Sequence, residues 1–214
     1  MSSPVEIFSD DALTVHALSV SEMDNRCYLI SDRASGAQIL IDAADDAPAL
    51  RELLAGATCE AGELLIVTTH AHWDHTRALP AFGGARLAAG ADDVAAIESQ
   101  RGVRIGEAVG HGDTLACGPL RLEVIGLRGH TPGSIALVLR RPEATLLFTG
   151  DSLFPGGVGN TDHNPERFAS LLGDVEERLF DAFEDDARVL PGHGEGTTLG
   201  AERPQLGAWR ERGW

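Results

Sequence analysis

The feature that most constrains this chain is a short segment rich in metal-binding side chains, His70-Ala71-His72-Trp73-Asp74-His75. Four potential ligands within six residues are rarely accidental. The preceding segment, residues 63–68, is rich in Leu, Ile and Val and is predicted to form a buried strand that leads directly to His70. Because loops at strand ends can turn several side chains toward one point, the sequence predicts a metal site at this junction.

The ligands of this segment are too many for one catalytic ion. A catalytic zinc ion takes three protein ligands and keeps a position open for water. The segment therefore indicates more than one ion, with further ligands from elsewhere in the chain. Three candidates follow predicted strands and have Gly or Pro beside them: His130, Asp151 and His193. Such small neighbours let the backbone approach a site closely.

The contexts of these residues resemble the metallo-β-lactamase superfamily over nearly the whole chain. They include Gly129-His130-Thr131-Pro132-Gly133-Ser134, Phe148-Thr149-Gly150-Asp151-Ser152 and Pro191-Gly192-His193-Gly194. The resemblance implies an α/β (α+β) chain folded as a single domain, residues 1–214, in a four-layer αββα sandwich with metals at one edge. It implies a first ion on His70, His72 and His130, a second on Asp74, His75 and His193, and Asp151 between them, with catalytic roles for Asp74 and Asp151.

The resemblance also implies the cofactor and the reaction. The cofactor is two divalent metal ions, zinc first, with iron or manganese as alternatives because the same nitrogen and oxygen ligands accept all three. Gly150-Asp151-Ser152-Leu153-Phe154 is similar to short glyoxalase-II-like (hydroxyacylglutathione hydrolase-like) thioesterases. The implied reaction is hydrolysis of a small thioester by a hydroxide that the two metals share. Asn160 departs from that pattern, because glyoxalase II enzymes commonly carry Arg or Lys there, so the thiol stays open.

Two other reactions of the superfamily remain as alternatives. A persulfide dioxygenase uses one iron in a site of the His70, His72 and Asp151 type. Hydrolysis of a lactone or another ester is the second alternative.

The hydrophobic pattern predicts alternating strands and helices. Strands are expected at residues 13–20, 27–31, 38–41, 63–68, 85–88, 120–125, 135–139, 145–148 and 187–190. Helices are expected at residues 48–54, 78–82 and 92–100, and a longer one after Asn164-Pro165, which has the pattern of an N-cap followed by Pro at the first helical position.

Charge and composition restrict the partners. The formal net charge is −16, and all 17 Lys+Arg residues are scattered Arg, so a small-molecule substrate is expected and nucleic acid is not. The N-terminal segment has no basic region followed by an apolar run, and no stretch reaches about 18 apolar residues, which predicts a cytoplasmic protein without a membrane span. Cys27, Cys59 and Cys117 are an odd, widely spaced set and are expected to be reduced. No pattern determines the oligomeric state.

Several other residues are interpreted as structural rather than as metal ligands. Short acidic pairs such as Asp92-Asp93 are interpreted as solvated surface. Trp73 is expected to face the core and brace the ligand loop. Asp42 follows a predicted strand and is either a plain strand end or the hydrogen-bond acceptor of a ligating imidazole. The other histidines are expected outside the ligand set: His16 in a strand, His111 in a turn, and His163 in a solvated loop or lining the cleft.

Overall fold

Two β-sheets form the centre of the computed structural model, which describes residues 3–57 and 62–213. Within those residues, the first sheet runs in chain order: β1 (Val5–Ser9), β2 (Leu13–Val20), β3 (Asn25–Asp32), β4 (Gln38–Ile41), β5 (Leu64–Thr68), β6 (Arg86–Gly90) and β7 (Glu107–Val109). Strands β1 to β4 pair antiparallel, whereas β4 to β7 pair in parallel. The carboxyl ends of β4, β5 and β6 therefore meet at one edge of this sheet.

The second half of the chain supplies the other sheet and a small ribbon. Its strands are β8 (Thr114–Cys117), β9 (Leu120–Gly126), β10 (Ile135–Arg141), β11 (Ala144–Gly150), β12 (Leu153–Phe154), β13 (Gly157–Val158), β14 (Arg188–Pro191) and β15 (Thr197–Thr198). The sheet order is β15-β14-β11-β10-β9-β8, and β12 pairs with β13 in the ribbon. Only β11 and β14 pair in parallel among the described strands of this sheet, so their carboxyl ends also lie together.

Helices cover the outer faces of both sheets. They are α1 (Ala47–Gly56), α2 (Trp73–Thr76), α3 (Val94–Arg101), α4 (Pro165–Val175), α5 (Leu199–Glu202) and α6 (Leu206–Arg212), with a π-helical segment at Glu176–Phe180. Leu50 of α1 and Ile97 of α3 pack on the first sheet. Leu171 of α4 and Trp209 of α6 pack on the second. The four layers are therefore helix, sheet, sheet and helix, which confirms the predicted αββα sandwich.

The alternation of side chains along the strands builds this layering. In β2, Leu13, Val15 and Ala17 point into the core between the sheets. Leu18 and Val20 point to the helical layer on the opposite face. Successive residues of a strand face opposite sides, so a strand buried on both faces needs apolar residues at both sets of positions.

Most predicted elements are present, with differences at short or exposed ones. The segment predicted as a helix at residues 78–82 is a 3₁₀ turn, Leu79–Phe82. Asn164 caps α4 as expected, since its side-chain oxygen accepts hydrogen bonds from the amides of Glu166 and Arg167. The sequence pattern did not predict β1, β7, β8, β12, β13 and β15, which are short or partly exposed and lack a sustained apolar run.

Two further expectations concern membranes and thiols. None of the helices in the described residues is both long and apolar enough to cross a bilayer. Cys27 and Cys117 are buried free thiols, as predicted, whereas Cys59 lies outside the described residues.

Candidate metal centre

Strand ends from both sheets bring the predicted ligands to one edge of the sandwich. The segment from His70 to His75 follows β5, and its last part forms the single-turn helix α2. Asp151 directly follows β11, and His193 follows the parallel neighbour β14. His130 lies in the connection between β9 and β10. Residues distant in sequence thus meet because parallel strands share the direction of their carboxyl ends.

The side chains form three overlapping groups, each with ligand atoms within 4.8 Å of one another. The groups are His70, His72 and His130; His70, His75 and Asp151; and Asp74, His75 and His193. Every residue predicted as a ligand belongs to at least one group. The structure therefore brings the whole predicted set together.

Asp151 lies between the two histidine-rich triads. Its Oδ2 is 3.7 Å from His130 Nε2 and 4.0 Å from His70 Nε2. The same oxygen is 3.5 Å from His193 Nε2, and Oδ1 is 3.4 Å from His75 Nε2. One carboxylate is thus within reach of nitrogen atoms that belong to both predicted ions.

Hydrogen bonds at Nδ1 aim the Nε2 atoms of the histidines into the site. His130 Nδ1 donates to Asn160 O at 2.7 Å. His193 Nδ1 donates to Met23 O at 2.8 Å. Because a backbone carbonyl can only accept, Nδ1 carries the proton in both rings and Nε2 keeps a free lone pair.

Asp42 orients two further imidazoles. Its Oδ2 accepts from His75 Nδ1 at 2.9 Å and from Thr69 Oγ1 at 2.8 Å, and its Oδ1 accepts from the Thr69 amide at 2.7 Å. Thr69 Oγ1 donates its own hydrogen to Asp42, so it accepts a hydrogen bond from His70 Nδ1 at 3.0 Å. Of the two alternatives for Asp42, the structure shows the hydrogen-bond acceptor of an imidazole. Its carboxylate contacts His75 directly and His70 through one hydroxyl.

The variant Asp42→Asn is expected to weaken metal binding by about 10- to 100-fold, the usual cost of losing a group that orients a metal ligand. The amide places a donor where an acceptor is needed, so one of the bonds to Thr69 and His75 is lost. Zinc affinity measured against a competing chelator tests this. The control is Asp45→Asn. It removes a carboxylate that pairs with Arg77, and the Asp45 side chain is 29% exposed. Equal affinity of the Asp42 variant and the native protein would contradict the orienting role.

The site contains buried polar atoms that need a partner. His70 Nε2, His130 Nε2 and Asp151 Oδ1 are buried without a hydrogen bond. His75 Nε2 and His193 Nε2 are 3.0 Å apart, a distance at which two lone pairs repel unless a cation or a proton lies between them. Buried polar groups are almost always satisfied, and imidazole and carboxylate are the donors that divalent transition metals accept. These residues therefore fit the metal ions that the resemblance implies.

The carboxylates of the site favour a cation, and a bound metal ion would take the place of the proton that they stabilise on His75. Burial and the neighbouring histidines hold the pKa of His70 well below its usual value. Burial alone would lower the pKa of His75, but the carboxylates of Asp151 and Asp42 outweigh it and raise the pKa to about 10. Burial likewise opposes ionisation of Asp151, yet the histidines lower its pKa. Asp151 therefore stays ionised at neutral pH, and its negative charge favours a bound cation.

Two expectations about neighbouring residues are wrong. Trp73 does not face the core, because it is 50% exposed and lies under the guanidinium of Arg77 at 4.5 Å. Helix α2 has a single turn, in which Asp74 and His75 face the site, so the residue before them is left outside. Asp93 is not solvated surface, because it is 1% exposed. The signal that sequence reasoning missed is its place just after β6, the parallel neighbour of β5.

The remaining histidines lie outside the three groups, as predicted. His16 is half-buried in β2, and His111 is exposed in a turn. His163 is exposed and lines a cavity of about 540 Å³ beside Asn160, together with Phe154 and Arg212. It therefore fits the solvated loop position, and it does not line the cleft that contains His72 and His130.

A cleft of about 710 Å³ opens over the first triad. His72 and His130 lie in its wall together with Arg128, Glu166 and Arg167. The guanidinium of Arg128 is held by Asp174 at 3.0 Å, and Arg167 donates to the backbone oxygen of His130 at 2.5 Å. The volume of the cleft and its charged lining residues suit a small molecule with polar groups.

The fold and this ligand arrangement define a metal-binding αββα protein, and comparison with known families agrees. The model of the metallo-beta-lactamase superfamily matches residues 22–193. The chain belongs to the metallo-beta-lactamase superfamily.

Three similar proteins show how the chain relates to that family. A hydroxyacylglutathione hydrolase from Fuscovulum blasticum is 39% identical over 139 residues, which are 64% of this chain and 51% of that protein. Mouse mitochondrial persulfide dioxygenase ETHE1 is 32% identical over 171 residues, 78% of this chain and 62% of that protein. The crystal structure of TTHA1623 in a di-iron-bound form is 28% identical with a TM-score of 0.60, covering 87% of this chain and 96% of that one. The chain spans about half the length of the first curated relatives it matches.

Proposed function

We propose that the protein is a metal-dependent hydrolase of a small thioester. The observation that carries this proposal is the position of Asp151, which lies 3.4 to 4.0 Å from ring nitrogens of both triads. A carboxylate in this position would serve as a ligand to two ions. The proposed ligands are His70, His72 and His130 for the first ion, Asp74, His75 and His193 for the second, and Asp151 for both.

When bound, two such ions generate a nucleophile from water near neutral pH and polarise the carbonyl group of the substrate. The chain itself supplies orientation and charge. Asn25 Nδ2 donates to Asp74 Oδ2 at 3.0 Å and so fixes this carboxylate beside His193. Asp74 and Asp151 both have a lowered pKa against the effect of burial, so both act as anionic ligands at neutral pH.

The thioester assignment is supported by the relatives and by the shape of the site. The similarity to hydroxyacylglutathione hydrolases includes a relative at 39% identity. The cleft of about 710 Å³ has His72 and His130 in its wall, so a substrate bound there would lie beside the first triad. Its size suits a small thioester.

A persulfide dioxygenase is the second candidate. It is supported by the similarity to mouse ETHE1 over 78% of this chain. A site of the His70, His72 and Asp151 type would hold its one iron. The second triad of Asp74, His75 and His193 would hold a second ion, so the metal content of the protein separates the two candidates.

Elemental analysis followed by a substrate panel tests the proposal. Protein purified without chelators is expected to contain about two equivalents of zinc, iron or manganese, as expected for a two-metal site. S-lactoyl thioesters are expected to be cleaved, cleavage should stop after dialysis against a chelator, and added metal should restore it. A fully metallated protein that cleaves no thioester contradicts the substrate assignment. Oxygen uptake by the iron-loaded protein with a low-molecular-weight persulfide would instead identify the dioxygenase.

A further inference from the structure

Asp93 is a buried carboxylate close to the metal centre that is not itself a predicted ligand. It ends the 3₁₀ turn Ala91–Asp93 after β6, and it is 1% exposed. No basic side chain among the described residues forms an ion pair with it. A buried carboxylate without a counter-charge is costly unless hydrogen bonds satisfy its oxygen atoms.

Three donors from two other loops satisfy this carboxylate. The amide of Ala71 donates to Oδ2 at 2.8 Å, and the hydroxyl of Thr131 donates to the same oxygen at 2.6 Å. The amide of Gly133 donates to Oδ1 at 2.9 Å. Ala71 lies between His70 and His72, and Thr131 directly follows His130. One carboxylate therefore joins the two loops that carry the ligands of the first ion.

The backbone segments around Asp93 are closely packed. A Cβ atom at Gly133 would lie 2.8 Å from Asp93 Cγ, and one at Gly90 would overlap the backbone oxygen of Gly133. The Ile135 amide also donates to Thr69 O at 2.9 Å, which ties the start of β10 to the residue before His70. The two glycines allow a backbone approach that larger residues would prevent, so the two loops are held at a short, defined spacing.

The second triad is held by different partners. His193 is oriented by the Met23 carbonyl, Asp74 by Asn25, and His75 by Asp42. None of these contacts involves Asp93 or its donors. The hydrogen bonds at Asp93 thus differ from those that orient the second triad, although Asp42 also reaches His70 through Thr69, and residues 70–75 form one segment that carries ligands of both ions.

We propose that Asp93 is a positioning residue that sets the spacing of the ligands of the first ion and thereby its affinity. This inference rests on the proposed two-ion site. Three donors converge on two oxygen atoms, so the position requires a group that only accepts hydrogen bonds, and a carboxylate is such a group. An amide of the same shape would turn an NH₂ group toward one of the donors.

Zinc titration of the metal-free Asp93→Asn protein in competition with a chromophoric chelator tests the proposal. We expect one of the two binding steps to weaken by about 10- to 100-fold, the range seen when an orienting partner of a metal ligand is lost. The other step should match the native protein. His72→Ala and His193→Ala serve as references, because they remove a ligand of the first and of the second ion, and the Asp93 variant should weaken the step that His72→Ala abolishes.

A matched control separates positioning from a general loss of stability. Asp32→Asn makes the same change at another buried aspartate, which accepts from the amide of Ser35 at 2.7 Å at the opposite end of β3 from Asn25. It is expected to lower the melting temperature without changing either zinc step. If Asp93→Asn does not fold, Thr131→Val removes one of the three donors while keeping the side-chain shape, and it should weaken the same step to a smaller extent.

The outcomes distinguish this inference from the proposed function. A native protein that binds no zinc contradicts the metal site itself. A native protein with two zinc steps, and an Asp93 variant with both steps unchanged, overturns only the role of Asp93. Equal weakening of both steps also overturns it, because a purely structural residue would affect the two ions alike.

Discussion

Asp151→Asn is expected to reduce the turnover of thioester by more than about 100-fold, which is the upper range for losing a group that only supports a metal ligand. The carboxylate lies within 4.0 Å of His70, His130, His75 and His193 nitrogens, so it would serve as a ligand to both proposed ions. The variant keeps the shape of the side chain but loses its negative charge, and its amide nitrogen is not a metal ligand. Both the metal content and the catalytic rate should therefore fall.

The measurement is kcat at saturating metal together with metal equivalents per chain. Asp185→Asn is the control, because Asp185 is 68% exposed in its side chain and pairs with Arg203 at the surface. Exposed ion pairs contribute only about 0 to 1 kcal/mol, so this change should leave metal content and rate unaltered. An Asp151→Asn protein with two bound metal ions and a native rate would contradict the proposal that Asp151 is a ligand to both ions.

Gly192→Ala is expected to disrupt the metal centre by adding one methyl group. Its Cβ would overlap Asp151 Oδ1 and would lie 2.7 Å from His75 Cε1. The backbone cannot move away easily, because the Gly192 amide donates to Gly150 O at 2.9 Å and its carbonyl accepts from the Arg26 amide at 2.8 Å. Asp151 and His75 must shift instead, so we expect loss of most metal binding and activity and a destabilisation of about 1 to 3 kcal/mol, typical of overpacking.

Metal content, thioesterase rate and thermal unfolding of the metal-free protein test this prediction. Gly173→Ala is the matched control, because a Cβ at this position in α4 meets no atom within 4 Å. That variant should be more stable by about 0.5 to 1 kcal/mol, since alanine is the better helix former. A Gly192→Ala protein with native metal content would show that the site tolerates displacement of Asp151.

The ligands could be predicted from sequence because their chemistry is local. The segment from His70 to His75 carries its ligand types within one loop, and His130, Asp151 and His193 each follow a recognisable strand with small neighbours. A histidine or aspartate with small neighbours at a strand end is typical of a binding site. The αββα layering was also predictable, since it follows from the resemblance that these motifs carry, and long apolar strands such as β2 bury both faces.

Residues whose role depends on a distant partner could not be found in this way. Aromatic side chains usually are buried, which predicts a core position for Trp73, but the one-turn helix α2 has room for only one inward face. Acidic pairs usually are solvated, which predicts a surface position for Asp93, and nothing local shows that Ala71 and Thr131 donate to it. Only its position after β6, beside the strand that leads to His70, was a usable signal.

The sequence by itself determined which side chains are the candidate metal ligands and in which order they occur along the chain, because ligand chemistry and strand-end spacing are local properties. Tertiary structure alone decided which nitrogen of each imidazole faces the site and what holds it there. His193 depends on the carbonyl of Met23, 170 positions away, and His130 depends on that of Asn160, 30 positions away. The first bond exists only after the two sheets have packed, and the second only after the segment that follows β13 lies against the β9–β10 connection, so no local pattern records either of them.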